Sequence, residues 1–145
     1  MSTEDNKELC RRFFEDVFNK LDQNTAIEII SPSFVTHHPA YPEGIHGIEG
    51  VNRVIATFRG GLPDLQYTIQ DMIAEGDKVV VRWIAHGTHQ GTFLGIPPTG
   101  KKVAATGIDI FRIAFGKLEE AWVNSDILGL LQQIGAIPPM GEQGA

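Results

Sequence analysis

The sequence has little of several residue classes, and each shortage excludes a class of protein. Cys10 is the one cysteine among 145 residues, so neither a disulfide framework nor a cysteine-rich zinc site is predicted. No run of about 18 apolar residues occurs, which excludes a membrane-spanning helix. Basic residues number 12 against 18 acidic ones, for a formal net charge of −6, and without a basic run no nucleic-acid partner is predicted. The polar, acidic start is unlike a secretory signal peptide, so a soluble, cytoplasmic protein is expected.

The composition that remains is that of one ordinary domain. Hydrophobic residues make up 42% and charged residues 21% of the chain, as in most globular proteins. A chain of this length buries roughly 68% of the surface that it exposes when unfolded, which is enough for a core of its own. We therefore predict a single domain over residues 1–145, with a flexible tail at 138–145.

The hydrophobic spacing predicts an α+β fold in which helices come first and strands follow. The predicted helices cover 7–21, 24–30, 48–61 and a last segment after Asp126. The predicted strands cover 65–74, 78–89, 101–114 and 117–125. Between the early helices, the segment 34–50 is rich in Pro, Gly and His and is predicted to be a loop. Consecutive strands joined by short turns indicate an antiparallel meander rather than alternating βαβ units.

Two of the predicted strands carry apolar side chains on both faces. Apolar residues occupy both parities over 78–86 and 103–113, whereas a sheet with one wet face alternates. We expect helices to cover one face and a second subunit to cover the other, which predicts a homodimer. The alternative is that the long loops of the same chain close over the second face.

The five histidines do not predict a metal site. His37 and His38 are adjacent, and His86 and His89 are three positions apart, so in extended chain the members of each pair point to opposite faces. Neither pair presents its ligands on one face, as a zinc site requires. His46 is expected to be exposed, and His89 is expected to hydrogen-bond with loop backbone.

His37 and His38 are better candidates for acid/base chemistry. They precede Pro39 in the predicted loop, and functional side chains concentrate on loops that a rigid scaffold holds. Histidine is also the usual general base near neutral pH. The alternative is an ordinary exposed histidine, and the sequence does not decide which of the two faces a pocket.

The strand 117–125 and the residue after it indicate a ligand site. Trp122, Asn124 and Asp126 share one parity and therefore one face. An aromatic wall beside an amide and a carboxylate suits a small apolar ligand that carries a carbonyl or hydroxyl group. Apolar surroundings would raise the pKa of Asp126 into a range useful for acid/base catalysis. The alternative is that Asp126 serves only as the N-cap of the helix that it precedes.

The remaining candidates for ligand binding come from the first helix and the sheet, which must meet in one core. The pocket is expected to be lined by Phe14, Phe18, Trp83 or Ile84, and Trp122, with His37 or His38 at its rim. His86 and Asp109 are further candidates for contact with a ligand. Asp109, like Arg82, could equally be an ordinary ion-pair partner on the sheet.

Three stretches of the chain carry a family resemblance. They are FVTHHP at 34–39, GTHQGTFLGIPPTGKKV at 87–103 and GIDIFRIAFGKLEEAWVNSDILGLLQQIGA at 107–136. Together they resemble the SnoaL-like polyketide cyclases, the ester-cyclase group of the nuclear-transport-factor-two-like superfamily. The resemblance implies a curved antiparallel sheet, wrapped by helices into a cone-shaped barrel with a deep apolar pocket, and frequent dimers.

The resemblance also implies a chemistry. Characterised cyclases of this family close a polyketide ring by intramolecular aldol condensation, without metal or cofactor. Asp126 matches the family's W-x-x-x-D pattern with Trp122, and His37 matches the early histidine, whereas comparison with ketosteroid isomerases of the same superfamily favours His38. We therefore predict a cofactor-independent acid/base enzyme that cyclises, isomerises or hydrates an apolar carbonyl compound. The alternative is a non-catalytic module that binds such a compound.

Overall fold

The computed structural model describes residues 2–141, and the end of the predicted flexible tail, 142–145, lies outside them. Its helices are α1 (Thr3–Arg12), which a π-helical segment over Phe13–Asn19 continues, α2 (Gln23–Ile29), α3 (Gly47–Gly61) and α4 (Ile127–Gln133). Its strands are β1 (Ile30–His38), β2 (Tyr41–His46), β3 (Gln66–Glu75), β4 (Lys78–Thr88), β5 (Lys102–Ala114) and β6 (Lys117–Ser125). None of these helices is long and apolar enough to cross a membrane.

The six strands form one curved, unclosed sheet in the order β2-β1-β6-β5-β4-β3. The predicted meander of the last four strands is present, with a tight turn at Gly76 and another at Phe115 and Gly116, all three at positive φ. The α+β prediction is confirmed, with one difference. β1 lies beside β6 and runs parallel to it, so the sheet is mixed rather than wholly antiparallel.

The segment predicted as a loop folds instead as the hairpin of β1 and β2. Phe34 and Thr36 are buried, whereas the next residue, His37, is exposed. β1 therefore has the alternation of a half-buried strand. The loop prediction was wrong because the turn-forming residues stand where a sheet tolerates them. Pro39 lies in the turn, and Pro42 lies in β2, an edge strand of the sheet, at a position without a paired residue in β1, where a missing backbone N–H is tolerated.

The first helix presents the predicted apolar face to the sheet. Ser2 and Asp5 form a capping box at its start, which satisfies two backbone N–H groups. Its buried residues include Leu9, Cys10, Phe13, Phe14 and Val17. The prediction that the helix continues to Leu21 was wrong. The π-helical segment ends at Asn19, and Leu21 follows in the left-handed region with φ 58° and is 47% exposed.

A β-bulge in β6 changes which of its side chains face inward. Arg112 of β5 pairs with Glu120, and the next residue, Ile113, pairs with Leu118. Glu119 is therefore the extra residue of the bulge, and the parity of the strand reverses across it. Beyond the bulge, the inner side chains are those at 121, 123 and 125, and the outer ones are those at 120, 122 and 124.

The face of the sheet that points away from the helices carries exposed apolar side chains. Ile73 of β3 is 62% exposed and Ile108 of β5 is 47% exposed. Val80 and Ile84 of β4 are half-buried on the same parity as Arg82. The homodimer through this face stays a prediction.

Candidate functional site

A cavity lies between the first helical segment and the inner face of the sheet. Its volume is about 80 Å³. Because a single water needs roughly 10–15 Å³ on the same scale, the cavity has room for a small organic molecule. Its walls are aromatic and aliphatic, and include the predicted residues Phe14, Phe18 and Trp83. The polar side chains that reach it are Thr36, His38, Tyr67, Asp109 and Ser125. A few convergent polar groups in an apolar hollow are typical of a ligand site.

Asp109 is the ionisable group deepest in this wall. Its side chain lies on the inner face of β5, and the residue is 5% exposed. The indole Nε1 of Trp83 donates a hydrogen bond of 2.8 Å to Oδ1 of Asp109. Within residues 2–141 no basic side chain forms an ion pair with it. Burial without a counter-charge raises the pKa of Asp109 to about 7, and the indole hydrogen bond offsets only part of that effect.

Gly107 allows the indole of Trp83 to reach Asp109. Trp83 and Gly107 are paired residues of β4 and β5, and a Cβ at Gly107 would overlap the benzene ring of the indole. The ring therefore lies across the backbone of β5, where its N–H meets the next inward residue, Asp109. A side chain at position 107 would displace the ring, so this glycine is required by close packing rather than by an unusual φ.

His38 and Ser125 form a second polar group at the rim. Both residues line the cavity, and each also lines a groove on the outside of the sheet. The distance between Nε2 of His38 and Oγ of Ser125 is 3.0 Å. The backbone N–H of Ala40 donates to Nδ1 of His38, also at 3.0 Å. Burial lowers the pKa of His38, which favours the neutral ring at pH 7.

Asp109 and His38 lie in one cross-strand row of the sheet, two strands apart. Asp109 pairs with Val123, and His37 pairs with Trp122, so His38 comes next to Val123. Strands lie about 4.8 Å apart, which puts the backbones of Asp109 and His38 about 10 Å apart with Val123 between them. A small ligand in the cavity can therefore contact both groups at once.

Three residues predicted for the site lie on the outer face of the sheet. The rings of His37 and Trp122 stack there, with centroids 5.7 Å apart, and Asn124 lies beside them in the same outer groove. The prediction that Trp122 lines the cavity was wrong, and His37 does not reach it either. Strand alternation sends His37 outward when His38 points inward, and the bulge at Glu119 sets Trp122 and Asn124 on the outer parity.

Asp126 occupies the position of a helix cap. Its Oδ1 accepts a hydrogen bond of 2.8 Å from the backbone N–H of Gly129 in α4, and the residue is exposed. The N-cap interpretation is confirmed. Asp126 lines an outer groove with Arg82 and Ile108 and does not line the cavity, whereas the next residue, Ile127, does.

The remaining predicted histidines lie away from the cavity wall. His86 is exposed on the outer face of β4, opposite Trp83 and Ala85, so the prediction that it contacts a ligand in this cavity was wrong. His46 is exposed, as predicted. Nδ1 of His89 accepts from the backbone N–H of Thr99, which confirms its loop hydrogen bond. No group of three His, Cys, Asp or Glu residues within 2–141 could hold a metal ion.

The sequence interpretation missed Ser125, Thr36 and Tyr67 as cavity residues, and treated Asp109 as a peripheral contact. A usable signal was present for Asp109. It stands between Ile108 and Ile110 on a strand that is apolar on both parities, and no basic residue shares its parity nearby. No such signal exists for Ser125, because its inward direction depends on a β-bulge that the residue pattern does not predict.

Comparison with known proteins gives a consistent result over most of the chain. The family of SnoaL-like polyketide cyclases matches residues 8–134. The aklanonic acid methyl ester cyclase DnrD of Streptomyces peucetius is 25% identical over 118 residues, which cover 80% of this chain and 78% of that protein. The structure of IdmH from Streptomyces antibioticus is 33% identical with a TM-score of 0.78, and 90% of this chain covers 98% of it. TsrD from Streptomyces laurentii is 32% identical with a TM-score of 0.82, at 94% and 99% coverage.

Proposed function

The chain belongs to the family of SnoaL-like polyketide cyclases, and on that premise we propose that it is an acid/base enzyme that deprotonates the carbon beside a carbonyl group of an apolar small molecule. The relative DnrD is a cyclase, and we propose a ring closure of the same type here. The observation that carries the proposal is Asp109, a buried carboxyl group on the wall of an apolar cavity with an indole N–H as its hydrogen-bond partner.

Asp109 has the properties of a general base for this reaction. A base works best when its pKa lies near the working pH, because it is then both ionised and a strong proton acceptor. Its pKa of about 7 meets that condition, which an exposed carboxylate does not. The indole N–H of Trp83 holds Oδ1 in place, and leaves Oδ2 to take the proton of a bound substrate.

The proposed ring closure needs no group other than those of the substrate and the cavity. Asp109 takes a proton from the carbon between or beside carbonyl groups, and the electron pair moves into an enolate. The enolate carbon attacks a second carbonyl carbon of the same molecule, so that a carbon–carbon bond forms and a carbonyl π bond breaks. The new alkoxide takes a proton, which Asp109 can return, and the product is an isomer of the substrate.

His38 does not suit the role of base. It does line the cavity, as expected if His38 rather than His37 belongs to the site. Its Nδ1 accepts the N–H of Ala40, and its Nε2 is bonded to Ser125. Neither ring nitrogen is therefore free to accept a proton from a ligand. We assign the acid/base role to Asp109 and keep His38 among the groups that bind and orient.

The experiment that tests the proposed base uses 2-indanone, an apolar bicyclic ketone with two equivalent methylene groups beside its carbonyl. In D2O, proton removal by the protein replaces the methylene hydrogens by deuterium, which proton NMR follows directly. We expect the wild-type protein to accelerate this exchange, and Asp109→Asn to lose 10²–10⁴-fold of the acceleration, the usual worth of a general base.

The matched control is Glu120→Gln, because Glu120 is a carboxylate on the outer face of the neighbouring strand. It removes the same charge and leaves the cavity unchanged, so its exchange rate should stay within about twofold of wild type. An Asp109→Asn protein that is folded and exchanges 2-indanone as fast as wild type would show that Asp109 is not the base.

A further inference from the structure

We propose that the hydroxyl group of Ser125 donates the hydrogen bond that binds the carbonyl oxygen of the substrate, and that His38 is the positioning residue that directs it. The inference rests on the proposed function, because it assigns the electrophilic partner of the base Asp109. It arises from the hydrogen-bond directions at the rim of the cavity, which can be worked out from one backbone contact.

The backbone N–H of Ala40 fixes the tautomer of His38. A backbone N–H can only donate, and it points to Nδ1 at 3.0 Å, so Nδ1 must be the unprotonated nitrogen. In a neutral imidazole the proton is then on Nε2. Burial favours the neutral ring. Nε2–H therefore donates to Oγ of Ser125 across the 3.0 Å contact.

This direction leaves the proton of Ser125 available. A hydroxyl group that accepts through Oγ still has one O–H to donate, and Ser125 has no other side-chain hydrogen bond within residues 2–141. Ser125 lines the cavity. Its O–H is thus a polarised donor, because the hydrogen bond that Oγ receives makes its own proton a better donor.

The donor stands at a useful distance from the base. Ser125 pairs with Gly107 on β5, and Asp109 is two residues further along the same strand. Residues in this diagonal relation have Cβ atoms about 7–8 Å apart or somewhat less, and both side chains point into the cavity. A ketone between them can direct its oxygen to Ser125 and its neighbouring carbon to Asp109.

This arrangement also sets the orientation of the ligand. Ser125 and His38 lie at the rim, whereas Phe13, Phe14 and Phe18 form the interior. The carbonyl oxygen then lies near the mouth of the cavity, and the hydrocarbon body lies among the phenyl rings. The substrate class is therefore an apolar ketone with one accessible carbonyl end. When the proton leaves, negative charge develops on the oxygen, where a placed donor stabilises it most.

The other ionisable groups that face the cavity do not compete for this role. Tyr67 comes from β3, and its buried hydroxyl group has a raised pKa, so it stays neutral. Asp109 is the acceptor on β5, and within residues 2–141 no ionisable residue other than Tyr67, Asp109 and His38 lines the cavity. Lys and Arg side chains are absent among the cavity-lining residues that the structure describes, so a hydroxyl donor is the natural partner for a developing enolate.

The test measures the carbonyl stretching frequency of bound 2-indanone, labelled with ¹³C at its carbonyl carbon, by infrared difference spectroscopy. A hydrogen bond to the oxygen lowers this frequency. We expect a lowered band in wild type, its return toward the value in an apolar solvent in Ser125→Ala, and a lowered band again in Ser125→Thr, which keeps a hydroxyl group. Deuterium exchange should fall 10²–10³-fold in Ser125→Ala, as for the loss of one oxyanion donor.

His38 is tested through its dependence on Ser125. His38→Phe should broaden the carbonyl band and reduce exchange, whereas the same change made in Ser125→Ala should have no further effect on the band. If His38 had a purely structural role, His38→Phe would reduce deuterium exchange by the same factor in the wild-type protein and in Ser125→Ala. If the single variant His38→Phe lowers the carbonyl stretching frequency as far as wild type does, and without broadening the band, His38 has no part in the proposal.

The two proposals fail in different ways. Asp109→Asn should lose exchange and keep the lowered carbonyl band, because the donor is intact. If wild type lowers the band and does not catalyse exchange, the base is wrong and the donor stands. If Ser125→Ala leaves the band of bound 2-indanone where wild type has it, the donor assignment is overturned whatever the exchange rate.

Discussion

The inner and outer faces of this sheet carry the same kinds of side chain in opposite environments. Inside, Trp83 bonds to the buried carboxyl of Asp109. Outside, Trp122 stacks on His37, whose Nε2 lies 2.7 Å from Oε2 of Glu120. Burial raises the pKa of Asp109, whereas the hydrogen bond from His37, and after it Arg112, lowers the pKa of Glu120. The direction in which the pKa of a carboxyl group shifts therefore depends on the face of the sheet that it occupies and not on its residue type.

The histidine pair shows the same contrast across a single peptide bond. His37 is exposed and shares Glu120 with the guanidinium of Arg112. His38 is half-buried, has a lowered pKa, and has both nitrogens bonded to neutral groups. Exposure to solvent and the nearby cation of Arg112 stabilise charge on the outer face, whereas His38 is partly desolvated and no Lys or Arg residue lines the cavity within residues 2–141. A reactive group needs the second environment.

The largest expected difference between the faces is in packing. Phe14 is 2% exposed and packs against Tyr67, Trp83 and Phe111. Phe14→Ala should cost about 3–5 kcal/mol of unfolding free energy, whereas Trp122→Ala on the outer face should cost about 1 kcal/mol or less. Urea unfolding measures both. A Trp122→Ala cost as large as that of Phe14→Ala would mean that a second subunit covers the outer face, and light scattering would then show a dimer.

The second prediction separates the two carboxyl groups by pH. Because the pKa of Asp109 rises on folding from 3.8 to about 7, the folded protein binds this proton more tightly than the unfolded chain. Its contribution to stability is present at low pH and is lost as the pH rises from about 4 to 7. Asp109→Asn, which resembles the protonated carboxyl group, should therefore match wild type near pH 3 and exceed it by roughly 4 kcal/mol at pH 8 in urea unfolding.

Glu120→Gln is the comparison for that experiment. A lowered pKa contributes stability above the ordinary pKa of a glutamate, and that stability is lost as the pH falls through the lowered value. The variant should thus be slightly less stable than wild type at pH 8, by well under 1 kcal/mol for an ion pair near solvent. If both variants change stability in the same direction at pH 8, the contrast between the faces is not electrostatic.

The third prediction concerns the glycine that supports the inner face. Gly107→Ala forces the indole of Trp83 off β5 and should cost about 1–3 kcal/mol, as overpacking of a core does. Gly60 lies in α3 with open space around it, so Gly60→Ala should stabilise by about 0.5–1 kcal/mol. Tryptophan fluorescence should change only in the first variant. An unchanged spectrum in Gly107→Ala would show that the indole does not depend on this glycine.

The smallest expected effect is at Asp126 on the outer face. As an N-cap it should tolerate Asp126→Asn at a cost of a few tenths of a kcal/mol, whereas Asp126→Ala should cost about 1 kcal/mol. Deuterium exchange of 2-indanone should be unchanged in the Asn variant. A large loss of exchange in a stable Asp126→Asn protein would return the acid/base role to this residue and would contradict the division between the faces.

The sequence predicted the fold better than the site, for a physical reason. Element types follow from local periodicity, and the strand 117–125 and the helix after Asp126 were placed correctly. The order of the elements follows from the same pattern, and the family resemblance added the curved sheet wrapped by helices. Which side chains of each strand face the helices could not be predicted in this way. β4 and β5 are apolar on both parities, so alternation alone does not show which parity meets the helices.

Individual residues show where the inference stopped. The predicted loop over 34–50 leaves the choice between His37 and His38 open, because a loop has no faces. Trp122 and Asn124 were grouped correctly with each other and placed on the wrong side, because Glu119 inserts one residue into β6. Asp109 is among the predicted contacts, but its burial arises from tertiary packing of the helices on the sheet, which the local pattern does not show.

The bulge at Glu119 makes the contents of the cavity depend on how β6 pairs with β5. Deleting Glu119 would remove the extra residue and leave Glu120 opposite Arg112, so the residues that follow would keep their faces. A β6 of unchanged length that paired without the bulge would instead bring Trp122 and Asn124 into the cavity and send Ser125 out of it. The lining can thus change from small and hydroxylic to aromatic and amide without the substitution of any residue in it, and identity of aligned side chains here does not by itself imply the same substrate.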